Sequence, residues 1–315
     1  MQSGGVRAQV ASGGTAVAIP MARLILGLFV LILGQACSVP ASGAPPDACT
    51  PAALREKYLE LKEQLANSPF HQPLALYAQD PDDQLEGDVY AVIDHPLHVL
   101  RSALVRASQW CEVLILHLNV QYCHSGSRSG QTLTLRIGRK YLQLLSDTQR
   151  LDFAYRVKAD SPQYLEVQLN SDTGPFGTRD YRISLAGIPL DTTRSFLHFS
   201  YSYAYGRLAR IAMGVYLATL GRDKVGFSVL GKEPNGAARY TKGFRGIVER
   251  NAMRYYLAID AYLGALSAPS AERPERSMRA WFASTERYAL QLHELDEAQY
   301  LATKRAEYCR QEACQ

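Results

Sequence analysis

Six short runs of alternating apolar and polar residues between positions 116 and 205 constrain this chain more than any other feature. A period of two is typical of strands that bury one face. Intervals of about 10 to 20 residues, broken by Asp-Thr, Ser-Pro and Gly-Pro turns, favour hairpins over helical crossovers. The pattern therefore predicts an antiparallel meander and disfavours parallel α/β folds. The predicted strands are Leu116 to Tyr122, Leu133 to Ile137, Phe153 to Val157, Leu165 to Leu169, Tyr181 to Leu185 and Phe196 to Tyr205.

The residues before the meander predict a helix, a connector and a strand followed by a helix. Thr50 can cap a helix that begins at Pro51 and carries one apolar stripe. Three prolines and an acidic cluster in residues 68–87 predict an irregular connector. A strand is expected over 88–93 and a helix over 96–110.

The residues after the meander predict mainly helices. Spacing of three to four residues predicts a helix over 207–221, and a last strand is expected over 225–230, followed by a polar turn. The stretch Ile247 to Leu266 is apolar nearly all round, which predicts a buried helix. Residues 278–308 predict one charged helix with an apolar inner side. Together with the meander, these elements predict an α+β fold.

An apolar leader suggests an exported protein. Nine of the eleven residues from Leu24 to Gly34 are Leu, Ile, Val or Phe, and Arg23 precedes them, as in a signal peptide. A membrane span needs roughly 20 apolar residues, so a cleaved leader is favoured over an anchor. We therefore expect residues 1–44 to be a signal peptide and the protein to be periplasmic, near a membrane. Lipid attachment at Cys37 is a weaker alternative, because Gln35 matches a lipobox poorly.

The cysteines suggest disulfides in an exported chain. Without Cys37, five remain, which permits two bridges and one free thiol. Metal binding is the alternative, although the short ligand spacing of zinc sites is missing. The candidate pairs are Cys111 with Cys123 and Cys309 with Cys314, or Cys49 with a C-terminal partner, and the metal alternative uses Cys111, His117, Cys123 and His124.

Composition and motifs narrow the function classes. The chain has 34 Lys and Arg against 30 Asp and Glu, and a net charge of +4 does not favour nucleic acid binding. The sequence lacks the common catalytic motifs, namely the Ser-His-Asp order, H-E-x-x-H, G-x-S-x-G and phosphate-binding glycine motifs. We therefore expect no cofactor and no metal, and the sequence leaves catalysis and oligomeric state open.

The stretch DVYAVIDHPLHVLRSALVRASQWCEVL, followed by a meander and a long apolar helix, resembles the START-like (SRPBCC) superfamily. The resemblance implies a helix-grip fold, in which a curved antiparallel sheet wraps a long C-terminal helix, here with helical arms at both ends. It also implies a cavity between sheet and helix that holds an apolar ligand. The expected divisions are 1–44 leader, 45–87 helical arm and connector, 88–267 START-like domain and 268–315 C-terminal helix.

The strand Ser195 to Gly206 carries the main candidate ligand residues. One face of this strand carries a row of mostly aromatic residues, the aromatic ladder. These side chains either line a ligand cavity or pack in the protein core. Trp110, at the end of the first predicted helix of the domain, is a further candidate ligand-binding residue. His117 and His198 lie in apolar runs and are either core histidines or general bases. The ladder residues are Leu197, Phe199, Tyr201, Tyr203 and Tyr205.

Polar residues interrupt the long apolar helix and form a second candidate group, namely Glu249, Arg250, Asn251 and Arg254. Arg250, Asn251 and Arg254 can hold a carboxylate or phosphate headgroup. Alternatively they lock the helix to the sheet, with Glu166 or Asp180 as the partner of an Arg.

Three functions follow from these features. The favoured one is an exported protein that binds or carries a hydrophobic, lipid-like molecule in a cavity of several hundred Å³. The second is a cyclase or hydrolase in which His117 or His198 opens into that cavity. The third is a filled envelope-assembly domain with an exposed apolar patch within residues 277–310.

Overall fold

The alternating runs form one antiparallel sheet in the computed structural model, which describes residues 50–81, 83–126, 131–219 and 221–313. The predicted leader and residues Cys37, Cys49 and Cys314 lie outside these ranges. Within them the sheet has eight strands in the order β1-β2-β8-β7-β6-β5-β4-β3. The strands are β1 (Leu74–Gln79), β2 (Gln84–Ile93), β3 (Val120–Ser125), β4 (Thr132–Ile137), β5 (Gln149–Ser161), β6 (Tyr164–Thr173), β7 (Thr178–Pro189) and β8 (Ser195–Tyr205).

Eight helices accompany the sheet in the described part of the chain. The predicted helix over 96–110 is two helices, because the chain turns at Val105 and Arg106. The helices are α1 (Pro51–Ala66), α2 (Leu97–Leu104), α3 (Ala107–Leu114), α4 (Arg207–Ala218), α5 (Gly243–Ala265), α6 (Arg273–Glu286), α7 (Ala289–Leu292) and α8 (Glu297–Ala313). None of them combines the length and apolarity needed to cross a bilayer.

The inner face of the sheet packs on α5, which confirms the predicted α+β helix-grip class. α5 contacts β1, β2 and β8, and it is buried on nearly every side, as its apolar sequence predicts. A Cβ on Gly87 of β2 would lie 3.0 Å from the Cβ of Ala252, so glycine is needed for this close approach. Register shifts in β3, β5 and β7 bend the sheet around the helix.

The outer face of the sheet is partly covered by α1. Thr50 caps α1 as predicted, since its Oγ1 accepts from Ala53 N–H at 3.1 Å. Leu54, Leu61 and Leu65 pack α1 against the sheet, so this helix is part of the fold. The prediction of an irregular connector over 68–87 is wrong, because β1 and the start of β2 lie within it. The prolines of this segment argued against a strand, because proline cannot donate a backbone hydrogen bond. β1 and β2 nevertheless form a ladder of six residue pairs, which satisfies their backbone groups.

Two predictions near the C-terminus are also wrong. The strand expected over 225–230 does not join the sheet; instead β9 (Val229–Lys232) overlaps its end and pairs, in a separate hairpin, with β10 (Ala238–Tyr240), which lies in the polar turn expected over 232–242. The single helix over 278–308 is broken into α6, α7 and α8, because extended backbone at His293 ends α7. These helices bury Trp281, Tyr300 and Leu301, so residues 277–310 do not form the exposed apolar patch of the assembly hypothesis.

A disulfide joins Cys111 of α3 to Cys123 of β3, which is one of the pairings that the sequence analysis predicts. The sulfur atoms that the metal alternative needed are therefore bonded to each other. Cys309 is exposed and has no disulfide partner among the described residues.

Candidate functional site

Aromatic rings fill the space in which the sequence predicts a ligand cavity. Tyr201 and Tyr203 project from β8 towards α5, where the Tyr201 and Tyr255 ring centroids lie 5.2 Å apart. Tyr203 stacks on Tyr181 at 5.1 Å, and Phe199 contacts Tyr255 at 6.1 Å. The alternation of β8 thus predicts the inner face correctly, but the space is packed by its side chains.

Two hydroxyl groups in this packing have no hydrogen-bond partner among the described residues. They belong to Tyr201 and Tyr255, which are 7% and 8% exposed. Burial raises the pKa of both phenols, so both remain protonated and can donate. A hydroxyl that makes no hydrogen bond within the protein is available to a ligand that offers an acceptor.

His117 adds a third unpaired donor beside these hydroxyls. It lies in the turn before β3 rather than in a strand, and its ring stacks on Tyr255 at 4.6 Å. The Asn119 N–H donates to His117 Nδ1 at 3.2 Å, which leaves the proton of the neutral ring on Nε2. Nε2 is buried and makes no hydrogen bond of normal geometry, although the Asn251 side chain is near enough to act as its partner. We call Tyr201, Tyr255 and His117 the donor cluster.

Burial and nearby cations determine the charge state of His117 in the donor cluster. Burial lowers the pKa of His117 well below its ordinary value, and nearby cations lower it further. Those cations are Arg254, Lys304 and Lys140. The ring is therefore neutral near pH 7, and the same cations favour a negative charge on any group that enters the cluster.

Arg250 and Arg254, predicted to hold a headgroup, are engaged within the protein. Arg250 donates to Val225 O at 3.0 Å. Arg254 donates to Glu294 at 2.9 Å, so its acidic partner comes from the α7–α8 segment and not from Glu166 or Asp180 on the sheet. Asn251, one turn of α5 from Tyr255, is the member of this group that lies at the donor cluster.

Trp110 and His198 lie away from the donor cluster. Trp110 is fully buried, but its indole N–H donates to Leu104 O at 2.9 Å, and it makes no ring contact with the cluster in the described part of the chain. His198 projects to the outer face, where its Nε2 lies 2.7 Å from Asp88 Oδ1 and its ring stacks on Tyr90. The enzyme hypothesis in which His198 opens into the interior is therefore wrong, because strand alternation places it on the other side. Leu197 is fully buried on the inner face.

α4 covers one end of the aromatic packing. Ile211 and Val215 of this helix are exposed, whereas Ala209 is buried. The Tyr203 hydroxyl donates to the Met213 Sδ at 3.7 Å, which connects α4 to the inner face. Because few of the described side chains of α4 are buried, we expect this helix to be held less firmly than the sheet beneath it.

One well-formed cavity lies elsewhere, among α3, α5, α6 and α8. Its volume is about 20 Å³, which suits a single water molecule rather than a lipid. Its lining includes Glu112, Tyr262, Ser277, Met278 and Tyr308. Within the described ranges, no group of three or more His, Cys, Asp or Glu side chains is placed to hold a metal ion.

No family model matches the sequence, and no curated protein matches it either. Solved structures give matches at low identity. A START superfamily protein from Mycobacterium smegmatis aligns with 44% of this chain and 92% of its own, at 11% identity and a TM-score of 0.27. The Zhui aromatase/cyclase from Streptomyces sp. R1128 aligns with 65% and 94%, at 8% identity and a TM-score of 0.29. A truncated norcoclaurine synthase from Thalictrum flavum aligns with 47% and 87%, at 10% identity and a TM-score of 0.30.

The fold class of this chain does not rest on these likenesses. The helix-grip class itself follows from this chain's strand order and from the buried helix on the inner face of the sheet.

Proposed function

We propose that this protein binds a hydrophobic small molecule that carries an oxygen acceptor, between the sheet and α5 and against the donor cluster. The observation that carries the proposal is the His117 Nε2 atom, which is buried without a hydrogen bond of normal geometry, next to the Tyr201 and Tyr255 rings, whose hydroxyls make no hydrogen bond with the described residues. Apolar walls with a few polar groups are typical of small-molecule sites.

The chemistry of the donor cluster selects the ligand class. Tyr201 and Tyr255 offer O–H groups, and His117 offers N–H, so the ligand must supply acceptors such as a ketone, ester or carboxylate oxygen. The positive potential from Arg254, Lys304 and Lys140 favours a carboxylate over a neutral carbonyl. An apolar ligand without oxygen would leave all three donors unpaired.

Ligand entry requires the aromatic packing to open, and α4 is the element placed to allow it. Its contact with the inner face runs through Met213 and Tyr203. A small outward movement of α4 would free the Tyr203 ring and expose Tyr201 behind it. The apolar leader of residues 1–44 supports an exported, periplasmic setting for this binding.

A matched pair of probes tests the proposal. 2-Acetylnaphthalene and 2-ethylnaphthalene have similar size and shape, but only the ketone carries an acceptor. We expect calorimetry to show that the ketone binds about tenfold or more tightly than the hydrocarbon, and that 2-naphthoate binds more tightly still. Mass spectrometry of organic extracts from natively purified protein identifies any natural ligand.

The double variant Tyr201→Phe/Tyr255→Phe should abolish the preference for the ketone. Tyr300→Phe is the control, because Tyr300 is also buried but its hydroxyl donates to Leu116 O at 3.1 Å. Equal affinity for the two naphthalenes in the wild-type protein, or no binding of either, would refute the proposal.

A further inference from the structure

The loop between β4 and β5, residues 138–148, presents its apolar side chains to solvent. Tyr141, Leu142 and Leu144 are 52%, 48% and 71% exposed. Three large apolar side chains within four residues form a patch of the kind that soluble proteins keep for interactions. We call Tyr141, Leu142 and Leu144 the apolar tip.

Polar side chains from β3, from α8 and from the loop itself hold the loop backbone. Gln121 is fully buried in β3, and its amide donates to Arg139 O at 2.8 Å and to Tyr141 O at 2.7 Å. Gln143 accepts from Arg139 N–H at 2.9 Å, and Arg310 of α8 donates to Gln143 O at 2.9 Å. The exposure of the apolar tip is therefore imposed by a well-held backbone.

Basic residues surround the apolar tip. Residues 136–150 contain Arg136, Arg139, Lys140 and Arg150, against Asp147 as the acidic residue. Lys140 pairs with Glu294 and Arg150 with Asp152. The Arg139 guanidinium instead contacts the exposed Tyr141, 2.6 Å from its hydroxyl, so its charge stays at the surface next to the tip.

The strand register brings more apolar surface to this end of the sheet. β4, β6 and β8 all end here, because Ile137 pairs with Gln149, Thr173 with Arg179 and Tyr205 with Thr178. The β6–β7 turn exposes Phe176, which is 69% accessible, and α4 starts after β8.

We propose that the apolar tip docks on an anionic lipid bilayer. Tyr and Leu side chains flanked by Arg and Lys suit the boundary between headgroups and acyl chains. The excess of positive charge complements anionic headgroups. This inference is independent of the small-molecule site, since it uses none of the donor cluster.

Vesicle binding of the full chain tests the docking. We expect binding to phosphatidylcholine vesicles with about 30 mol % phosphatidylglycerol and weaker binding without it. Leu142→Ser/Leu144→Ser should weaken binding about tenfold or more, and Arg139→Gln about fivefold on the anionic vesicles alone. Leu59→Ser is the matched control, because Leu59 is 62% exposed on α1 at the outer face and should bind as wild type.

A site-resolved readout separates the apolar tip from the apolar run of residues 24–34, which can bind vesicles by itself. Trp110 and Trp281 are buried, so Leu142→Trp adds a surface fluorophore whose emission should shift to the blue and be quenched by brominated lipid. Leu59→Trp should show neither effect. Three results would overturn the proposal: vesicle binding without quenching at position 142, an unchanged affinity of the double Ser variant, or no vesicle binding at all. An unchanged affinity or no binding would favour a protein as the partner of the apolar tip.

Discussion

Two groups of buried polar side chains meet at His117, and they differ in whether their hydrogen bonds are made. The Lys304 ammonium donates to His117 O at 2.8 Å, to Val120 O at 3.0 Å and to Glu307 at 2.7 Å, so all three of its protons are used. The His117 ring, on the other side of the same residue, belongs to the donor cluster, in which the buried Nε2 makes no hydrogen bond of normal geometry and the two tyrosine hydroxyls make none with the described residues.

This difference separates a structural group from a binding group. Lys304 ties α8 to the turn before β3, and its charge is matched by Glu307. The Lys304 ammonium has every proton paired, and loss of one member of such a buried ion pair is costly because the other charge is left alone. An unpaired neutral donor contributes nothing to the fold and is available to a ligand. The four predictions below test that separation, from the largest expected effect to the smallest.

Lys304→Met should destabilise the fold most, by about 3–5 kcal/mol, because it leaves Glu307 buried without its cation. Urea denaturation measures the loss. The double variant Lys304→Met/Glu307→Leu should recover most of it, because no charge is then left unpaired. A loss below about 1 kcal/mol for the single variant would mean that this pair is not structural.

Replacing both bridged cysteines, Cys111→Ala/Cys123→Ala, should cost about 3 kcal/mol, as expected for a loop of this length. The bridge encloses the turn that carries His117, so the ketone should also bind more weakly to this variant. Cys309→Ala is the control, since Cys309 is exposed, and it should change neither quantity. If Cys309→Ala also weakened ketone binding, the effect of the double variant could not be assigned to the disulfide that encloses the His117 turn.

Acid should remove the stability that Glu294 contributes. Burial raises the pKa of its carboxyl, but Arg254, Lys140 and Lys224 lower it by more, to about 2. A carboxyl whose pKa is lower in the folded than in the unfolded protein stabilises the fold at any pH above the unfolded pKa, which is near 4.3 for Glu. This contribution to the free energy of unfolding is about 2–3 kcal/mol, and it is lost as the pH falls towards 2. Glu294→Gln should flatten the free energy of unfolding over this pH range. An unchanged slope in the variant would contradict the assignment.

The smallest stability effects are expected at the donor cluster. Tyr201→Phe and Tyr255→Phe should each change the free energy of unfolding by less than about 0.5 kcal/mol, because their hydroxyls have no partner to lose. Tyr300→Phe should cost about 1 kcal/mol, because its hydroxyl is hydrogen-bonded. A loss at Tyr201 as large as that at Tyr300 would show that the Tyr201 hydroxyl is paired.

Local sequence patterns predicted much of this fold. Alternation along β8 placed Phe199, Tyr201 and Tyr203 on the buried face, and helical spacing without a polar side predicted that α5 is enclosed. Both patterns arise from burial within a single element, which is why one sequence suffices to predict them.

What the sequence could not predict depends on contacts between distant elements. Glu294 reaches Arg254 from a bend that breaks the expected C-terminal helix, and spacing along α5 carries no signal of that bend. Whether the rings of β8 enclose space or fill it is set by where Tyr255 and Tyr181 meet them, and that requires the register of the whole sheet. The two paired strands within residues 68–87 show that proline content alone does not exclude a ladder.

The most direct measurement follows the His117 Nε2 proton by NMR, with His117→Gln to assign it. Without ligand, the protein should show a neutral imidazole with its proton on Nε2 near pH 7. Addition of 2-acetylnaphthalene should shift that proton downfield as it donates to the ketone oxygen, whereas 2-ethylnaphthalene should not. A proton on Nδ1, or a resonance that the ketone leaves unmoved while the ketone binds, would contradict a ligand site built on this donor cluster.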